Sequence, residues 1–340
     1  MLERAVEILA GEEAYVVGGT VRDELLGRPV VDLDVACAEP ERAARAYADA
    51  SDGAPFPLSA AHGGWRVALE GGRTVDFTPL RGSIEDDLAT RDFTINAIAR
   101  PLAGGEHVDP FGGKGDLDER IVRAVGAGVF EADPLRLLRA VRFEEELGFA
   151  IERRTERLVR EQAKLVTKPA GERTLEVLLK LGVPGWRRLD DLGLLQPLDG
   201  SLDLAGRAEA VDSPEYRLVV FLQDSVGLLP ISRELRRYAV ALLRSSPPSD
   251  ASPRSLHRFR RRTEPWARDA LAFHGRLDLA DALEESRATD PAGPLLRGDE
   301  LGLPEGPEIG ALLELIAEER AAGMISTREE ALELVRRHTR

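Results

Sequence analysis

An α+β fold is predicted: a mixed-sheet head followed by a long all-helical remainder. Two observations carry this. Over the first 125 or so residues, short apolar runs alternate with helical periods and with hairpin-like turns such as "LEGGRT". From Asp133 onward almost no strand pattern remains, and helical periods follow one another between Pro/Gly/Ser breaks. Strands mixed with hairpins favour a mixed sheet over a strictly alternating doubly wound one.

In the head, "AYVV" reads as a buried strand. Gly18-Gly19 then turns the chain into a short helix starting near Thr20 or Val21, "VRDELLG", which stops at Gly27. "VVDLDVAC" is the next strand and "PERAARAYADA" the next helix. "WRVALEGGRTVDFT" and "TINAIARPL" complete the strand-like segments. The helical part opens with "DPLRLLRAVRFEEELGF" and continues through "ERRTERLVREQAKLV", "AGERTLEVLLKLG" and "PGWRRLDDLGLL". Further periods are "PEYRLVVFLQDSVGLL", "SRELRRYAVALLRS", "SPRSLHRFRRRTEPWARDALAFHGR" and "PEIGALLELIAEERAAG", separated by breaks such as "SSPPSDASP" and "ATDPAGP". Four segments are expected: a head over 1–125, and helical regions over 126–190, 191–275 and 276–340.

Composition narrows the class. Hydrophobic residues make up 43% and charged residues 31%, as in a soluble globular chain. The single cysteine, Cys37, excludes an internal disulfide and fits a reducing compartment. No apolar run approaches the roughly 18 residues of a membrane span. The acidic amphipathic start "MLERAVEILAGEE" leads us to expect neither signal nor transit peptide, and a cytoplasmic location. A net charge of -14 argues against a polyanionic partner. The charge is uneven, however: Arg233 to Arg262 holds nine arginines against Glu234 and Asp250, a local +7. Such a molecule can still bind a polyanion along one face.

The chemistry concentrates in "YVVGGTVRDELLGRPVVDLDV". Gly18 and Gly19 let the backbone turn tightly and approach a ligand. The helix that follows offers free N–H groups to an anion, and Arg22 lies in its first turn. An ordinary strand-Gly-Gly-helix turn has the same appearance, and the G-x-G-x-x-G spacing of dinucleotide sites is absent. Asp32 and Asp34 alternate along one strand, so both carboxylates share a face while Val31, Leu33 and Val35 take the other. Two such carboxylates repel unless a cation sits between them; alternatively they are solvent-facing residues of an edge strand. Beside a phosphate cradle the divalent ion is favoured, and Mg²⁺ is the hard, oxygen-loving ion that bridges carboxylates to phosphates. Asp76 in "TVDFT" is a weaker third carboxylate.

Asp133 before Pro134 is an N-cap pattern for the first long helix. Arg136, Arg139 and Arg142 then recur every three residues, a step that rotates about 60°. Asp133 and Arg136 are therefore neighbours, and Arg142 has turned away. Leu135, Leu138, Val141 and Leu147 supply the core side, as do Phe93, Ile95 and Ile98 in "RDFTINAIA", where Asn96 reads as structural. The basic run "SLHRFRRRTEPW", with Arg258, Arg260, Arg261 and Arg262, is either a solvated helix face or a phosphate-contacting surface.

"GGTVRDELLGRPVVDLDV" resembles the signature of the polymerase-β-type nucleotidyltransferases, and most closely that of the class II tRNA CCA-adding enzymes and bacterial poly(A) polymerases. "TRDFTINAIA", "DPFGGKGDLDERIVRAV", "EADPLRLLRAVRFEEELGF", "AGERTLEVLLKLG" and the segment from "LLRGDELGL" to "TREEAL" resemble later parts of the same enzymes, in order. The resemblance implies a catalytic head, a neck that selects the nucleotide, and a tRNA-binding body and tail. It implies that Asp32 and Asp34 hold Mg²⁺ as the catalytic pair. It places Gly19, Arg22, Arg91, Arg139 and Arg142, with Gly18, around the nucleotide. Asp133 and Arg136 would read the base edge of CTP or ATP in place of a template.

The expected reaction is template-independent addition of CCA to tRNA, with pyrophosphate leaving. Only "PLRGSI" lies between "TVDFT" and "EDDL", where members adding all three nucleotides usually carry a longer segment, and Thr90 stands where Arg is common. A CC-adding specialist is therefore the alternative. Poly(A) polymerase and a catalytically silent tRNA-binding protein rank lower. The five histidines, 62, 107, 257, 274 and 338, form no His-Asp dipeptide, so neither phosphohydrolase activity nor a zinc site is expected. No membrane and no obligate protein partner are expected.

Overall fold

Ala14–Val17, four apolar residues too short to stand alone, gain their stability by pairing on both sides. In the computed structural model, which describes residues 1–59, 63–288, 293–304 and 306–339, this strand lies inside a six-stranded mixed sheet. The chain forms two compact units, Met1–Leu198 and Asp199–Arg340.

The first unit begins with α1 (Leu2–Ile8), β1 (Ala14–Val17), α2 (Gly19–Leu25), β2 (Asp32–Cys37) and α3 (Pro40–Ser51). It continues with β3 (Ala54–Ser59), β4 (Gly64–Ala68), β5 (Thr74–Pro79), α4 (Ile84–Ala89) and β6 (Ala99–Pro101). The sheet order is β3-β4-β5-β2-β1-β6. Among the described residues of this sheet only the β2–β5 pair is parallel; α3 lies in the crossover between them, and its Tyr47 ring meets Phe77 of β5 at 5.8 Å. Leu33, Val35, Val75 and Phe77 are buried on the side opposite the aspartates. The unit closes with α5 (Gly113–Asp118), β7 (Ile121–Val122), α6 (Val129–Ala132), α7 (Arg136–Leu147), β8 (Ala150–Ile151), α8 (Arg153–Glu161), α9 (Gly171–Leu178) and α10 (Val183–Asp191).

The second unit is helical: α11 (Pro214–Leu222), α12 (Arg233–Leu243), α13 (Pro253–Thr263), α14 (Ala267–Phe273), α15 (Ala280–Ala288), α16 (Pro307–Ala321) and α17 (Arg328–His338). Leu312 and Ile316 of α16 pack with Ala331 and Val335 of α17 in a small terminal core.

Four sequence expectations need correction. "TINAIARPL" is not one strand: Thr94–Asn96 is a 3₁₀ turn, because Thr94 donates to Asp116 and Asn96 to Asp92, and only Ala99–Pro101 is extended. The edge strand β3, "APFPLS", went unread; its two prolines hide a strand that only a sheet edge tolerates. The two-residue β8 lies beyond Asp133, too short to show a period. The period from Ser252 to Arg276 divides into α13 and α14 around Pro265, which cannot continue a helix. Part of the "ATDPAGP" break, residues 289–292, lies outside the described residues.

Candidate active site

Asp32 and Asp34 occupy alternate positions of β2 and so share a face of the sheet, with Leu33 and Val35 buried on the other. In the parallel ladder Asp34 stands opposite Asp76 and Asp32 opposite Thr74. Thr74 Oγ1 donates to Asp32 Oδ1 at 2.7 Å. Arg66, on β4, grips both oxygens of Asp76 at 2.7 Å each. Asp34 has no such clamp. Burial, then the Asp76 charge, push its pKa up to about 6, with Asp32 adding to the rise and Arg91 and Arg66 opposing it.

The glycine bend lies beside this pair. Gly18 holds φ +65°, a conformation that side chains disfavour. A Cβ there would sit 3.5 Å from Arg91 Nη1 and 3.6 Å from Asp34 Oδ2, so the bend, Asp34 and Arg91 meet at one point. Arg91 is held by Asp87, 2.7 Å away on the preceding turn. Thr20, which sequence reasoning passed over, fixes the start of α2: its hydroxyl donates to the Asp32 carbonyl at 3.1 Å and accepts the Asp34 N–H at 2.9 Å. α2 begins at Gly19, one residue before the earliest expected start.

Arg22 departs from the expectation of a free anion-facing side chain. It is buried, its Nε and Nη2 donate to Asp23 at 3.0 and 2.9 Å, and its Nη1 donates to Asn96 at 2.8 Å. Asn96 in turn donates to Asp92 at 2.9 Å, and Arg139 of α7 donates to the other Asp92 oxygen at 2.7 Å. A largely buried relay thus runs from the glycine turn to α7. Burial works against the Asp92 carboxylate, but Arg139, Asn96 and the Phe93 N–H outweigh it and hold its pKa below the usual aspartate range. Gly19 stays close to this guanidinium: its Cβ would lie 3.5 Å from Arg22 Nη2. Sequence reasoning missed Asp92 and Phe143 and read Asn96 as merely structural. Their signal was faint, since a buried Asp-x-x-x-Asn pair becomes visible only once the 3₁₀ turn brings the two together.

Three guanidinium groups lie over the Phe143 ring: Arg22 at 5.2 Å, Arg139 at 5.1 Å and Arg142 at 5.5 Å from its centroid. Arg142 also pairs with Glu146 at 3.0 Å. Asp133 and Arg136 are engaged elsewhere. The Asp133 carboxylate accepts the Leu135 N–H at 3.2 Å, so it caps a turn before α7 instead of the helix itself, which begins at Arg136. It also pairs with Arg173 of α9 at 2.7 Å. Arg136 donates to the Thr90 carbonyl at 2.6 Å.

The basic residues of α13 belong to the second unit and differ among themselves. Arg260 is buried and donates to the Ser286 carbonyl at 2.8 Å and to Glu264 at 3.1 Å, contrary to a surface role. Arg258 pairs with Glu318 at 2.5 Å. Arg261 and Arg262 are exposed, and Arg262 lines an open cleft of about 570 Å³ with Ser245, Ser249 and Arg258.

Among the described residues, no group of three or more His, Cys, Asp or Glu side chains is gathered to hold a metal ion; His62 lies outside them. Asp32 and Asp34 still fit a hard divalent cation that takes its remaining ligands from phosphate and water, since no described arginine clamps either carboxylate and the Asp76 and Asp32 charges add to burial in raising the Asp34 pKa. No helix among the described residues is long and apolar enough to cross a membrane.

A family model described as the poly A polymerase head domain matches residues 14–83 and 66–123. The CC-adding tRNA nucleotidyltransferase of Geobacter sulfurreducens is 32% identical, covering 94% of this chain and 91% of its own. The A-adding tRNA nucleotidyltransferase of Deinococcus radiodurans is 34% identical, covering 95% of each. The solved structure of the Bacillus stearothermophilus CCA-adding enzyme in complex with CTP superposes with a TM-score of 0.73 at 27% identity, over 99% of this chain and 98% of that one. With relatives of this identity spanning nearly its whole length, and with paired aspartates beside a glycine bend in a mixed-sheet head, the chain belongs to the family of CCA-, CC- and A-adding tRNA nucleotidyltransferases.

Proposed function

We propose that this enzyme adds CCA to the 3′ end of tRNA from CTP and ATP without a template. The observation that supports it most is the meeting of Asp34, the Gly18 bend and Arg91 at one edge of β2. The terminal 3′-hydroxyl of tRNA attacks the α-phosphorus and gives up its proton to solvent, a new P–O ester forms, and the bond to pyrophosphate breaks. Asp32 and Asp34 would hold Mg²⁺, whose charge activates the hydroxyl and offsets that of the triphosphate. Gly18 and Gly19 admit the phosphates close to the backbone, and Arg91, Arg139 and Arg142 hold them. Arg22 acts from behind, through its fixed position at Gly19. Asp133 and Arg136 read the base edge after exchanging Arg173 and the Thr90 carbonyl for the base. In this reading residues 1–125 carry the chemistry and 126–190 select the nucleotide, while 191–275 and 276–340 hold tRNA. Arg258, Arg261 and Arg262 are the phosphate contacts proposed on α13.

One observation favours the CC-adding reading. The connector from β5 to α4 is only Leu80–Ser83, and Ser83 is pinned to Asp86 in a capping box. The deciding experiment offers tRNA lacking its last three nucleotides with CTP alone, ATP alone and both, with Mg²⁺, and sequences the 3′ ends. CCA ends with both nucleotides support the main reading. Ends stopping at CC under the same conditions replace it with the alternative, and no extension under any condition overturns both.

A further inference from the structure

We propose that Phe143 is a positioning residue for triphosphate binding, acting through the electrostatics of its ring and not only through its bulk. The inference rests on the nucleotidyl-transfer reading above. Phe143 lies on α7 and is 3% exposed, so water does not screen the ring. Arg22 comes to it from α2, while Arg139 and Arg142 come from α7 itself, all within 5.5 Å of one centroid. Phe93 meets its edge at 5.8 Å and 83°, which fixes the ring plane.

Like charges this close repel, and each guanidinium is paired with a carboxylate, Asp23, Asp92 and Glu146 respectively, with Glu176 also near Arg139 and Arg142. The carboxylates supply charge balance. The negative face of the ring supplies a further attraction common to all three cations. The three arginines are not equivalent. Arg22 uses Nε, Nη1 and Nη2 on Asp23 and Asn96. Arg139 uses Nε and Nη2 on Asp92, and Arg142 uses Nε on Glu146. Among the described residues, Nη1 of Arg139 and both terminal nitrogens of Arg142 make no hydrogen bond, and they offer donors to an anion that competes with the nearby Glu176. The ring holds these two arginines in register with Arg22, whose Nη2 lies beside the Gly19 turn. Without the ring's field the neck arginines lose their common reference to the phosphate cradle.

The test replaces Phe143 in the full-length enzyme with 4-fluoro-, 3,5-difluoro- and 3,4,5-trifluorophenylalanine by nonsense suppression. These change the shape little and weaken the ring's negative face stepwise. KM for CTP, kcat on tRNA and melting temperature are measured for each. The expected result is a KM for CTP that climbs in step with fluorination, reaching about fivefold at the trifluoro ring, with the effect on KM exceeding that on kcat. Phe143→Leu, which keeps apolar bulk, should resemble the most fluorinated ring. A flat KM across the fluorinated series in an active enzyme overturns the proposal, because a purely structural ring tolerates fluorine. Wild-type protein that extends no tRNA would instead overturn the functional reading beneath it.

Discussion

At the scale of single residues, charge compensation separates the two kinds of aspartate in the site. Asp92 is saturated with donors, and its folded pKa is lowered. Its contribution to stability is therefore fully present above the ordinary aspartate pKa of about 3.9 and is lost as pH falls through the folded value. Asp92→Ala leaves Arg139 and Asn96 without their acceptor and should cost ~3 kcal/mol at neutral pH in urea unfolding, with a flatter acid limb below pH ~4. Unchanged stability would refute the relay. Asp34 is the opposite case, with a pKa raised to about 6. A cation bound there must displace its proton. Mg²⁺ titrated near pH 6 should release protons in calorimetry run in buffers of different ionisation enthalpy, and the release should vanish near pH 8 and in Asp34→Asn. The alternation "DLD" made this pair legible, because strand periodicity alone puts both carboxylates on one face. Thr20, Asp92 and Phe143 were not legible. Thr20 depends on Asp32, 12 residues on, Asp92 on Arg139, 47 residues on, and Phe143 on Arg22 of a different element, and no local period records such meetings.

At the scale of elements, α7 and α10 are held together by a cap borrowed across sequence. Glu145 of α7 accepts the N–H groups of Gly182 and Gly185 at 3.0 and 3.1 Å, at the start of α10. Both glycines leave room for it, since a Cβ on either would press on the Glu145 carboxylate. Glu145→Ala should therefore destabilise the enzyme by ~1–2 kcal/mol, and Glu145→Gln should recover part of that, as read from denaturant midpoints. A neutral Glu145→Ala would show that water replaces the cap at no cost. Long amphipathic helices such as α3, α7 and α12 were legible because their periods repeat several times. β3 and the 3₁₀ turn at Thr94–Asn96 were not: the first carries prolines at an edge, and the second is folded by side-chain bonds that override an apolar run.

At the scale of the whole molecule, a net charge of -14 must be reconciled with a polyanionic substrate. Sequence counting placed the positive charge over Arg233 to Arg262, which α12 and α13 share, but could not tell which of these arginines face water. Burial of Arg260 removes it from any surface role, and Arg261 and Arg262 remain exposed. The double variant Arg261→Glu with Arg262→Glu should weaken tRNA binding and reduce the slope of log affinity against log salt by about two. An unchanged slope would assign tRNA contact to other residues. Most cations near the proposed sites carry a resident carboxylate: Arg139 has Asp92, Arg142 has Glu146, Arg173 has Asp133, and Arg254 and Arg258 share Glu318. The protein thus resembles a charged ion-exchange column already loaded with its own counter-anions. A visiting anion must compete with them or use the donors they leave, as on Arg139 and Arg142, so a lone phosphate is held poorly where a chain of linked phosphates meets several arginines at once. Discrimination against short anions is then a property of the resting protein, settled before any base is inspected.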